Sequence, residues 1–599
     1  MNVLRWNRRG VRPRPSRSTV VVRASHPWTA ARSVALALAV ALPAALVVGV
    51  AGSADAAAGN QGTPSAPVTV FTEDFENGTG AQPILLPAYT GASPLDETYT
   101  ADPAWDGAGT CDGYILSEQD PATPPTGSGC GGGWPSALTM AEALGSWSGG
   151  DATTNHALIG YTQDGNPGAG KVELQTDSPI PLSGPDRFLV VRSDAAAINC
   201  EASHPEFLFS VLAGSTAQPS FSAPIDPCDN PGGVDDGVDV GTYTGDQAIL
   251  FGGTAAGIQL VNEQGSGTGN DAAIDNIQLL DATPQLDLTA TTAGTPVGAS
   301  ANLTFTVTNT SELDAKDGWS FTANLPAGLT QVGQGFTTTC ATATAAQGSG
   351  SGVIDVGGDL GAGKSSCTVT VQVTSIYGGK YTLCASQISN LVGLDAPGCA
   401  SLTFVAPVFD ARADAAQLTS PLLNIGPLAP AAYECETAPG AQSNSVVSAG
   451  LGIVGNLGAL TTSASGSIAA NGTRTAAAGA QTTGIDLLGG LITANEVATT
   501  AQAQQPLTSS GPGTVTTAGA TTFTDLTVAG VAIAANPGPN STINLPLVGS
   551  LVLNEQTSIA AGDGITVTAL DLKLLTGTEV TISQSTAALL SATATCPAS

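Results

Sequence analysis

Short stretches in which apolar and polar residues alternate are the main pattern along this chain. In residues 303–308 (LTFTVT) the apolar side chains fall on one face and the threonines on the other, and residues 367–374 (CTVTVQVT) repeat the pattern. Alternation with a period of two is typical of a half-buried antiparallel strand. Short apolar runs broken by Gly and Pro, such as 188–191 and 207–209, predict more strands. Helical spacing is confined to about two turns at 137–144, so the pattern predicts an all-β protein.

Three strand-rich units follow a leader and a linker. Many short strands separated by turn signals predict a jelly roll in the first unit, and about 120 residues of clean alternation predict an Ig-like β-sandwich in the second. The third unit is β-rich, with strand candidates at 523–533, 550–554, 565–575 and 580–583. We place the signal peptide at 1–56, the linker at 57–67, and the three units at 68–282, 284–406 and 407–599.

The leader has the parts of a secretory signal peptide. Arginines are frequent up to Arg32, an uncharged apolar run covers 34–50, and small residues follow at 54–56. A basic region, an apolar stretch and a small-residue site are the parts of a cleavable export signal. An uncleaved anchor is the alternative, but the run is at the short limit for a bilayer and Pro43 would kink a helix. We expect cleavage, and no membrane span in the mature protein.

Acidic residues outnumber basic ones by 48 to 17, which gives a net charge of −31. This charge argues against nucleic acid as a partner, because phosphates need basic partners. Most of the acids lie in the first unit, which holds only Lys171, Arg187 and Arg192 as basic residues. Such repulsion is costly unless solvent or cations screen it. Two interpretations stay open: a solvated acidic surface, or bound Ca²⁺, the one cofactor that we expect.

Two sets of carboxylates are candidate calcium ligands. One set joins the ends of the first unit, where Asp275 alternates with Ile277 and Leu279 and needs a partner or a metal if that face is buried. The other set lies in one loop. The first set is Asp74, Glu76 and Asp275, and the second is Asp226, Asp229, Asp235, Asp236 and Asp239.

Each of the three units holds an even number of the ten cysteines, four, four and two, and none belongs to a C-x-x-C pair. An even count in an exported chain indicates disulfides. Four cysteines allow three pairings, so other pairings stay open in the first two units. The simplest pairing is sequential: Cys111–Cys130, Cys200–Cys228, Cys340–Cys367, Cys384–Cys399 and Cys435–Cys596.

Signals for catalysis are weak in this sequence. After the leader the chain has two histidines, His156 and His204, and it contains neither G-x-S-x-G nor H-E-x-x-H. A G-x-G-x-x-G match at 450–455 lacks the following helix and acid, and we interpret it as chance. Tryptophans in one stretch of the first unit either stack on sugar rings or pack in a core. These are Trp105, Trp134 and Trp147.

Three parts of the chain resemble known families. The segments LTFTVTNTSELDAKDGWSFTANLPAGL, GDLGAGKSSCTVTVQVT and GGKYTL resemble the Ig-like conserved repeat of bacterial surface proteins, which implies a spacer. NSTINLPLVGSLVLNEQT, with GIDLLGGLITANEV before it, resembles the "choice-of-anchor" domains of actinobacterial secreted proteins. The opening DFE and the closing IDNI of the first unit look like the terminal strands of lectin-like jelly rolls, which implies that they lie side by side and hold calcium.

These features predict a non-enzymatic protein, secreted or at the cell surface of an actinobacterium-like organism. It would act in adhesion or envelope structure, with glycans or envelope components as partners and calcium-dependent glycan binding by the first unit. One alternative is a secreted polysaccharide hydrolase that uses first-unit carboxylates as its acid and base. Another is a purely structural envelope protein without a ligand.

Overall fold

The computed structural model describes residues 61–106, 109–162, 167–559 and 563–593. The predicted signal peptide and Cys596 therefore lie outside the described residues, and the linker is covered only from residue 61. Antiparallel strands dominate the described part, so the all-β prediction is confirmed. Each sheet takes its strands from one of the three units. No helix of the described residues is long and apolar enough to cross a membrane.

The first unit holds fifteen strands and the only α-helix of the described residues. Helix α1 spans Trp134–Ser148, with a proline in its first turn and Gly149 in the left-handed conformation after its last residue. The strands are β1 (Val68–Glu73), β2 (Ile84–Leu85), β3 (Tyr99–Thr100), β4 (Asp112–Leu116), β5 (Ala157–Tyr161), β6 (Lys171–Thr176), β7 (Ile180–Pro181), β8 (Arg187–Ile198), β9 (Phe207–Ala213), β10 (Thr216–Pro219), β11 (Gly233–Asp235), β12 (Val238–Thr244), β13 (Ile249–Phe251), β14 (Ala255–Asn262) and β15 (Asp271–Asp281).

Two sheets enclose the core of the first unit. One has the order β11-β12-β8-β15-β5-β4-β2, with β1 also on β15 and β13 on β8; the other has the order β10-β9-β14-β6-β3, with β7 on β14. β1 pairs with β15 from Val68 opposite Asp281 to Glu73 opposite Ile277, so the predicted adjacency of the terminal strands is confirmed. Large side chains such as Phe209 and Ile258 fill the space between the sheets.

The second unit is a sandwich of three sheets around one core. β18 and β23 pair with Phe305 opposite Val369, and the predicted alternation holds, since these side chains are buried. The sheet orders are β16-β18-β23-β20, β17-β26-β24 and β21-β22-β19-β25. The strands are β16 (Gln285–Ala290), β17 (Thr295–Pro296), β18 (Ala301–Thr308), β19 (Lys316–Asn324), β20 (Thr330–Thr338), β21 (Thr342–Gln347), β22 (Val353–Leu360), β23 (Ser366–Thr374), β24 (Gly379–Leu383), β25 (Ile388–Val392) and β26 (Ala400–Val405).

The third unit packs two long sheets over two cores, one rich in leucine and one rich in alanine. The sheet orders are β28-β27-β44-β43-β42-β41, with β29 on β27, and β30-β33-β34-β35-β39-β40, with β32 on β34 and β38 on β35. The strands are β27 (Val408–Thr419), β28 (Asn424–Leu428), β29 (Ala431–Glu436), β30 (Gly440–Val446), β31 (Ala449–Gly450), β32 (Gly455–Leu457), β33 (Leu460–Ile468), β34 (Arg474–Leu487), β35 (Ile492–Gln505), β36 (Leu507–Thr508), β37 (Gly511–Pro512), β38 (Thr516–Thr524), β39 (Thr527–Val528), β40 (Val531–Ala532), β41 (Ser541–Leu545), β42 (Gly549–Ile559), β43 (Gly564–Leu574) and β44 (Glu579–Leu590).

Four of the five sequential disulfides are present. Their Cα–Cα distances run from 4.1 to 5.6 Å. The fifth predicted pair includes Cys596, which lies outside the described residues. The confirmed pairs are Cys111–Cys130, Cys200–Cys228, Cys340–Cys367 and Cys384–Cys399.

Candidate functional site

The end of β1 carries a buried carboxylate that two tyrosines hold. Tyr89 Oη donates a 2.7 Å hydrogen bond to Glu73 Oε1, the Phe75 amide donates one of 2.8 Å to the same oxygen, and Tyr99 Oη donates to Oε2. Burial raises the pKa of Glu73, and these three donors lower it in part. All four residues are buried. This carboxyl therefore fastens the opening strand to the segment that holds the tyrosines.

Glu76, a predicted calcium ligand, is bound to a histidine. His156 Nδ1 lies 2.7 Å from Glu76 Oε2, the His156 amide donates a 2.7 Å hydrogen bond to Oε1, and the other ring nitrogen lies 2.9 Å from the Gly80 carbonyl oxygen. Burial lowers the pKa of His156, but the hydrogen bond to Glu76, the Gly80 carbonyl and the charges of Glu76 and Asp120 raise it, and the net shift is upward. The imidazole and the backbone amide of His156 therefore contact both carboxylate oxygens of this predicted calcium ligand.

Asp275 is fully buried, as its position on β15 predicted. Asn155 Nδ2 donates a 3.0 Å hydrogen bond to Oδ2, and the Asn276 amide donates one of 2.6 Å to Oδ1. Burial raises its pKa well above the usual value; these donors oppose the shift, and the charges of Asp194 and Glu76 add to it. Asp74, the third member of this set, is exposed, and its Oδ1 accepts a 3.2 Å hydrogen bond from the Glu76 amide.

The loop set has two separate roles. Asp226 Oδ1 accepts hydrogen bonds from the amides of Cys228 and Asp229, at 2.9 and 3.1 Å, and Oδ2 lies 3.1 Å from His204 Nδ1. Asp229 Oδ1 lies 3.6 Å from the same ring nitrogen. These contacts arrange the turn that the Cys200–Cys228 disulfide closes.

The remaining three acids of the loop set lie on the β11–β12 hairpin. Asp235 pairs with Val238, and Asp239 is on β12. Between them Asp236 and Gly237 have φ values of 44° and 83°. Two consecutive positive φ values are those of the two-residue turn that favours Asp-Gly, so Asp236 serves the turn.

Neither predicted set forms a geometric metal site. Within the described residues, the only group of three ligand-type side chains whose donor atoms lie within 4.8 Å of one another is His204, Asp226 and Cys228. Cys228 is bonded to Cys200 and offers no thiolate. Calcium also takes backbone carbonyl oxygens and waters as ligands, so its binding by either predicted set stays a prediction.

Two of the three tryptophans are core residues. Trp105 and Trp134 are buried, and Trp134 Nε1 donates a 2.8 Å hydrogen bond to the Pro121 carbonyl oxygen. A buried ring cannot stack on a sugar, so the glycan prediction is wrong for these two. Trp147 is 38% exposed at the end of α1. Its ring lies against Gly232, and its Nε1 donates a 2.9 Å hydrogen bond to Thr242 Oγ1. Stacking on a sugar ring therefore stays a prediction for Trp147.

A further group of buried carboxyls was missed by the sequence reasoning. Asp112 on β4 and Glu173 on β6 are both buried, and Asn262 Nδ2 donates a 2.9 Å hydrogen bond to Glu173 Oε1. Burial, then the charges of Asp271 and Asp106, raises the pKa of Asp112 to about 7. Burial raises the pKa of Glu173 to about 8; Asn262 opposes the shift and the charge of Asp112 adds to it.

The absence of a side chain at Gly113 lets the Asp106 carboxylate approach the backbone of β4. The φ of Gly113 is 80°, and a Cβ there would lie 2.5 Å from Asp106 Oδ1. The pairing register shifts between Asp112 and Tyr114, which marks a β-bulge. Asp112 and Glu173 are both buried, so neither presents its carboxyl to a polysaccharide in this structure. The alternation of apolar and polar residues does not predict the positive φ at Gly113, because this glycine lies within the sequence of a strand.

Comparisons with known proteins give a family for the second unit only. Residues 284–404 match the model of a family described as "Domain of unknown function (DUF7933)". No curated protein matches the chain. Among solved structures, the T6 backbone pilin of serotype M6 Streptococcus pyogenes, described as having a modular three-domain structure decorated with variable loops and extensions, is similar at 11% identity over 49% of this chain and 83% of the pilin chain. Its TM-score is 0.18, and at that value the likeness carries no argument.

Proposed function

We propose that this chain is a non-enzymatic, secreted or cell-surface protein that acts in adhesion or envelope structure. The observation that carries the proposal is that side-chain contacts join each unit to the next one along the chain. Disulfides also cross-link the first and second units internally. Four disulfides within the described residues support an oxidising compartment outside the cytoplasm. A row of β-units joined by such contacts can bear force and keep its two ends apart, which is what a spacer or scaffold does.

The first junction is an arginine between two carboxylates. Arg187 Nε lies 2.7 Å from Asp281 Oδ2 in the first unit, and Nη1 lies 2.5 Å from Asp395 Oδ1 in the second. Phe188 is part of the core of the second unit, and the Gly393 amide donates a 2.8 Å hydrogen bond to the Asp186 carbonyl oxygen. These contacts fasten β8 of the first unit to the second unit.

The second junction is built on a buried arginine of the third unit. Arg474 Nη2 donates a 3.2 Å hydrogen bond to the Ile376 carbonyl oxygen, and Nη1 donates one of 3.1 Å to the Thr437 carbonyl oxygen. Burial lowers the pKa of this guanidinium to about 10. Leu507 packs against the core of the second unit. A glycine with φ of 81°, Gly298, leaves room for that leucine, because a Cβ there would lie 2.6 Å from it.

The proposal is tested by location and activity together. We expect the protein, expressed with its own leader, to be recovered outside the cytoplasm, and intact-mass measurement to show no free thiol. Glycan arrays and isolated cell envelopes then serve as the binding probes, with Trp147→Ala as the variant and Tyr377→Ala, another exposed aromatic, as its control. Recovery in the cytoplasm with reduced cysteines would contradict the proposal. So would turnover of a polysaccharide that is lost on substitution of a first-unit carboxylate.

A further inference from the structure

Half of the large apolar side chains that are exposed in the described chain gather at one end of the third unit. They lie on the connections between strands, at the end of β27 that is opposite to Val408 and hence to the junction with the second unit. Leu422 is 98% exposed, Ile453 103% and Leu547 96%, and Leu423, Val531 and Leu575 are also exposed. We call this end the apolar tip and define it by residues 420–423, 451–454, 488–491, 529–531, 546–548 and 575–578.

The loops of the apolar tip form one continuous surface. The Leu488 amide donates a 2.8 Å hydrogen bond to the Val454 carbonyl oxygen, and the Leu575 amide donates one of 2.9 Å to the Val548 carbonyl oxygen. A groove of about 450 Å³ runs between the two sheets at this end. Its lining is apolar and includes Leu418, Leu422, Leu451, Val454, Leu488 and Leu574.

Two of these loops contain a leucine where glycine or asparagine is usual. The φ of Leu488 is 55° and that of Leu547 is 65°. A leucine in the left-handed region costs on the order of 1–3 kcal/mol. Leu547 gains nothing from burial in return, because it is 96% exposed. A strained side chain without packing contacts is explained by a binding role better than by folding.

We propose that the apolar tip is a self-association surface, through which two copies of this chain meet tip to tip. A two-fold contact requires a self-complementary surface, and here the protruding Leu422 and Ile453 are themselves walls of the groove, so each copy offers both a projection and a recess. Leu422 and Ile453 of one copy fit the groove of the other. Six large apolar side chains exposed at one end of the fold are typical of an interaction site, because scattered single side chains are the rule on a monomer surface.

Charge favours a second copy over the alternatives. The chain carries a net charge of −31, yet the six segments of the apolar tip contain no charged residue. Two copies therefore approach each other with the least repulsion at this end. A lipid surface is disfavoured, since loops that insert into anionic lipid are usually accompanied by basic residues. The basic residue beside the tip, Lys573, is already paired with Asp571 and Glu579, at 2.5 and 3.3 Å.

The test is the mass of the secreted full-length protein in sedimentation equilibrium over two decades of concentration. We expect a reversible monomer–dimer equilibrium, with the dissociation constant raised at least about tenfold by Leu422→Asp or Ile453→Asp. Both side chains are exposed, so thermal unfolding should be unchanged. Val234→Asp, at an exposed valine of the first unit, is the matched control and should leave the dimer intact.

The other outcomes each overturn the proposal. A monomer at every concentration, or a dimer that survives the double variant L422D/I453D, excludes tip-to-tip pairing. Flotation of a monomer with phosphatidylcholine vesicles, lost in the same variants, assigns the tip to lipid instead. The inference is independent of the proposed function: a monomer recovered at the cell surface refutes only the dimer, and a dimer recovered in the cytoplasm refutes only the surface role.

Discussion

Buried carboxyls of the first unit show how far single residues can be interpreted from sequence. The excess of acids was visible, but which of them are buried depends on partners far along the chain: Glu173 is held by Asn262, and Asp275 by Asn155. Asp275 was predictable because it alternates with apolar residues on one strand. His156 beside Glu76 was not, since their contact crosses between separate segments. Local patterns report on a residue's own strand and give no information on its cross-strand neighbours.

The raised pKa of Glu173 predicts a pH dependence of stability. Its pKa is about 8 in the folded chain, against 4.5 for an unperturbed glutamate. Between these values the folded state holds a proton that the unfolded state has lost, so the free energy of unfolding falls as pH rises through this range and levels off above it. Glu173→Gln keeps the shape without the titration. We expect its unfolding free energy in urea to fall less than that of the wild type between about pH 5 and pH 8.

The control for this experiment is Glu263→Gln, because Glu263 is exposed. It should follow the wild-type profile. Asp112, whose pKa is about 7, contributes a slope of the same sign. Its charge also raises the pKa of Glu173, so the difference between the two profiles reports on Glu173 within this pair of carboxyls. Parallel profiles for the wild type and Glu173→Gln would show that Glu173 ionises freely in the folded protein.

At the scale of elements, the sequence patterns predicted where the strand candidates of the third unit lie, but they did not predict where some of these strands end. The candidates at 565–575 and 580–583 lie on β43 and β44, and 550–554 lies inside β42. The candidate 523–533 covers the end of β38 and the two-residue strands β39 and β40, because Asp525 and Ala529 have φ values of 52° that turn the chain. Helix α1 extends beyond the predicted 137–144, since Pro135 suits its first turn and Gly149 its end. Positive φ at residues other than glycine has no reliable sequence signal.

The junction strand β8 supplies a prediction at this scale. Arg187 is its first residue, and it neutralises the buried carboxylate of Asp281 while it reaches Asp395 in the second unit. Arg187→Met leaves that buried charge unpaired, and such losses cost about 3–5 kcal/mol. We expect a loss in unfolding free energy of that order, together with faster limited proteolysis between residues 282 and 286. Arg192→Met, an exposed arginine of the same strand, should change neither measurement. Equal effects of the two variants would contradict a fastened junction.

For the whole molecule, charge and chemistry are distributed differently from the sequence-based expectation. The acids of the first unit pointed to a cation or ligand there, and the low-charge remainder was interpreted as scaffold. In the structure, many of those acids are bound by tyrosine, histidine and amide donors from the chain itself, as at Glu73, Glu76 and Asp275. The third unit has fewer charged residues, and it carries most of the large apolar side chains that are exposed in the described residues. The turn between β41 and β42 contributes to this surface, because its Leu547 is 96% exposed.

The response to salts is the last prediction, and it separates screening from specific binding. A chain with a net charge of −31 repels itself, so raising ionic strength should raise the melting temperature. A calcium centre would add a further rise that is specific to Ca²⁺, because binding to the folded state alone stabilises it. If either predicted set holds calcium, we expect a larger shift with CaCl2 than with MgCl2 at equal ionic strength after dialysis against EDTA. Loss of that excess in Asp275→Asn or in Asp226→Asn identifies which set binds the ion, and equal shifts with the two salts would contradict calcium binding by either set.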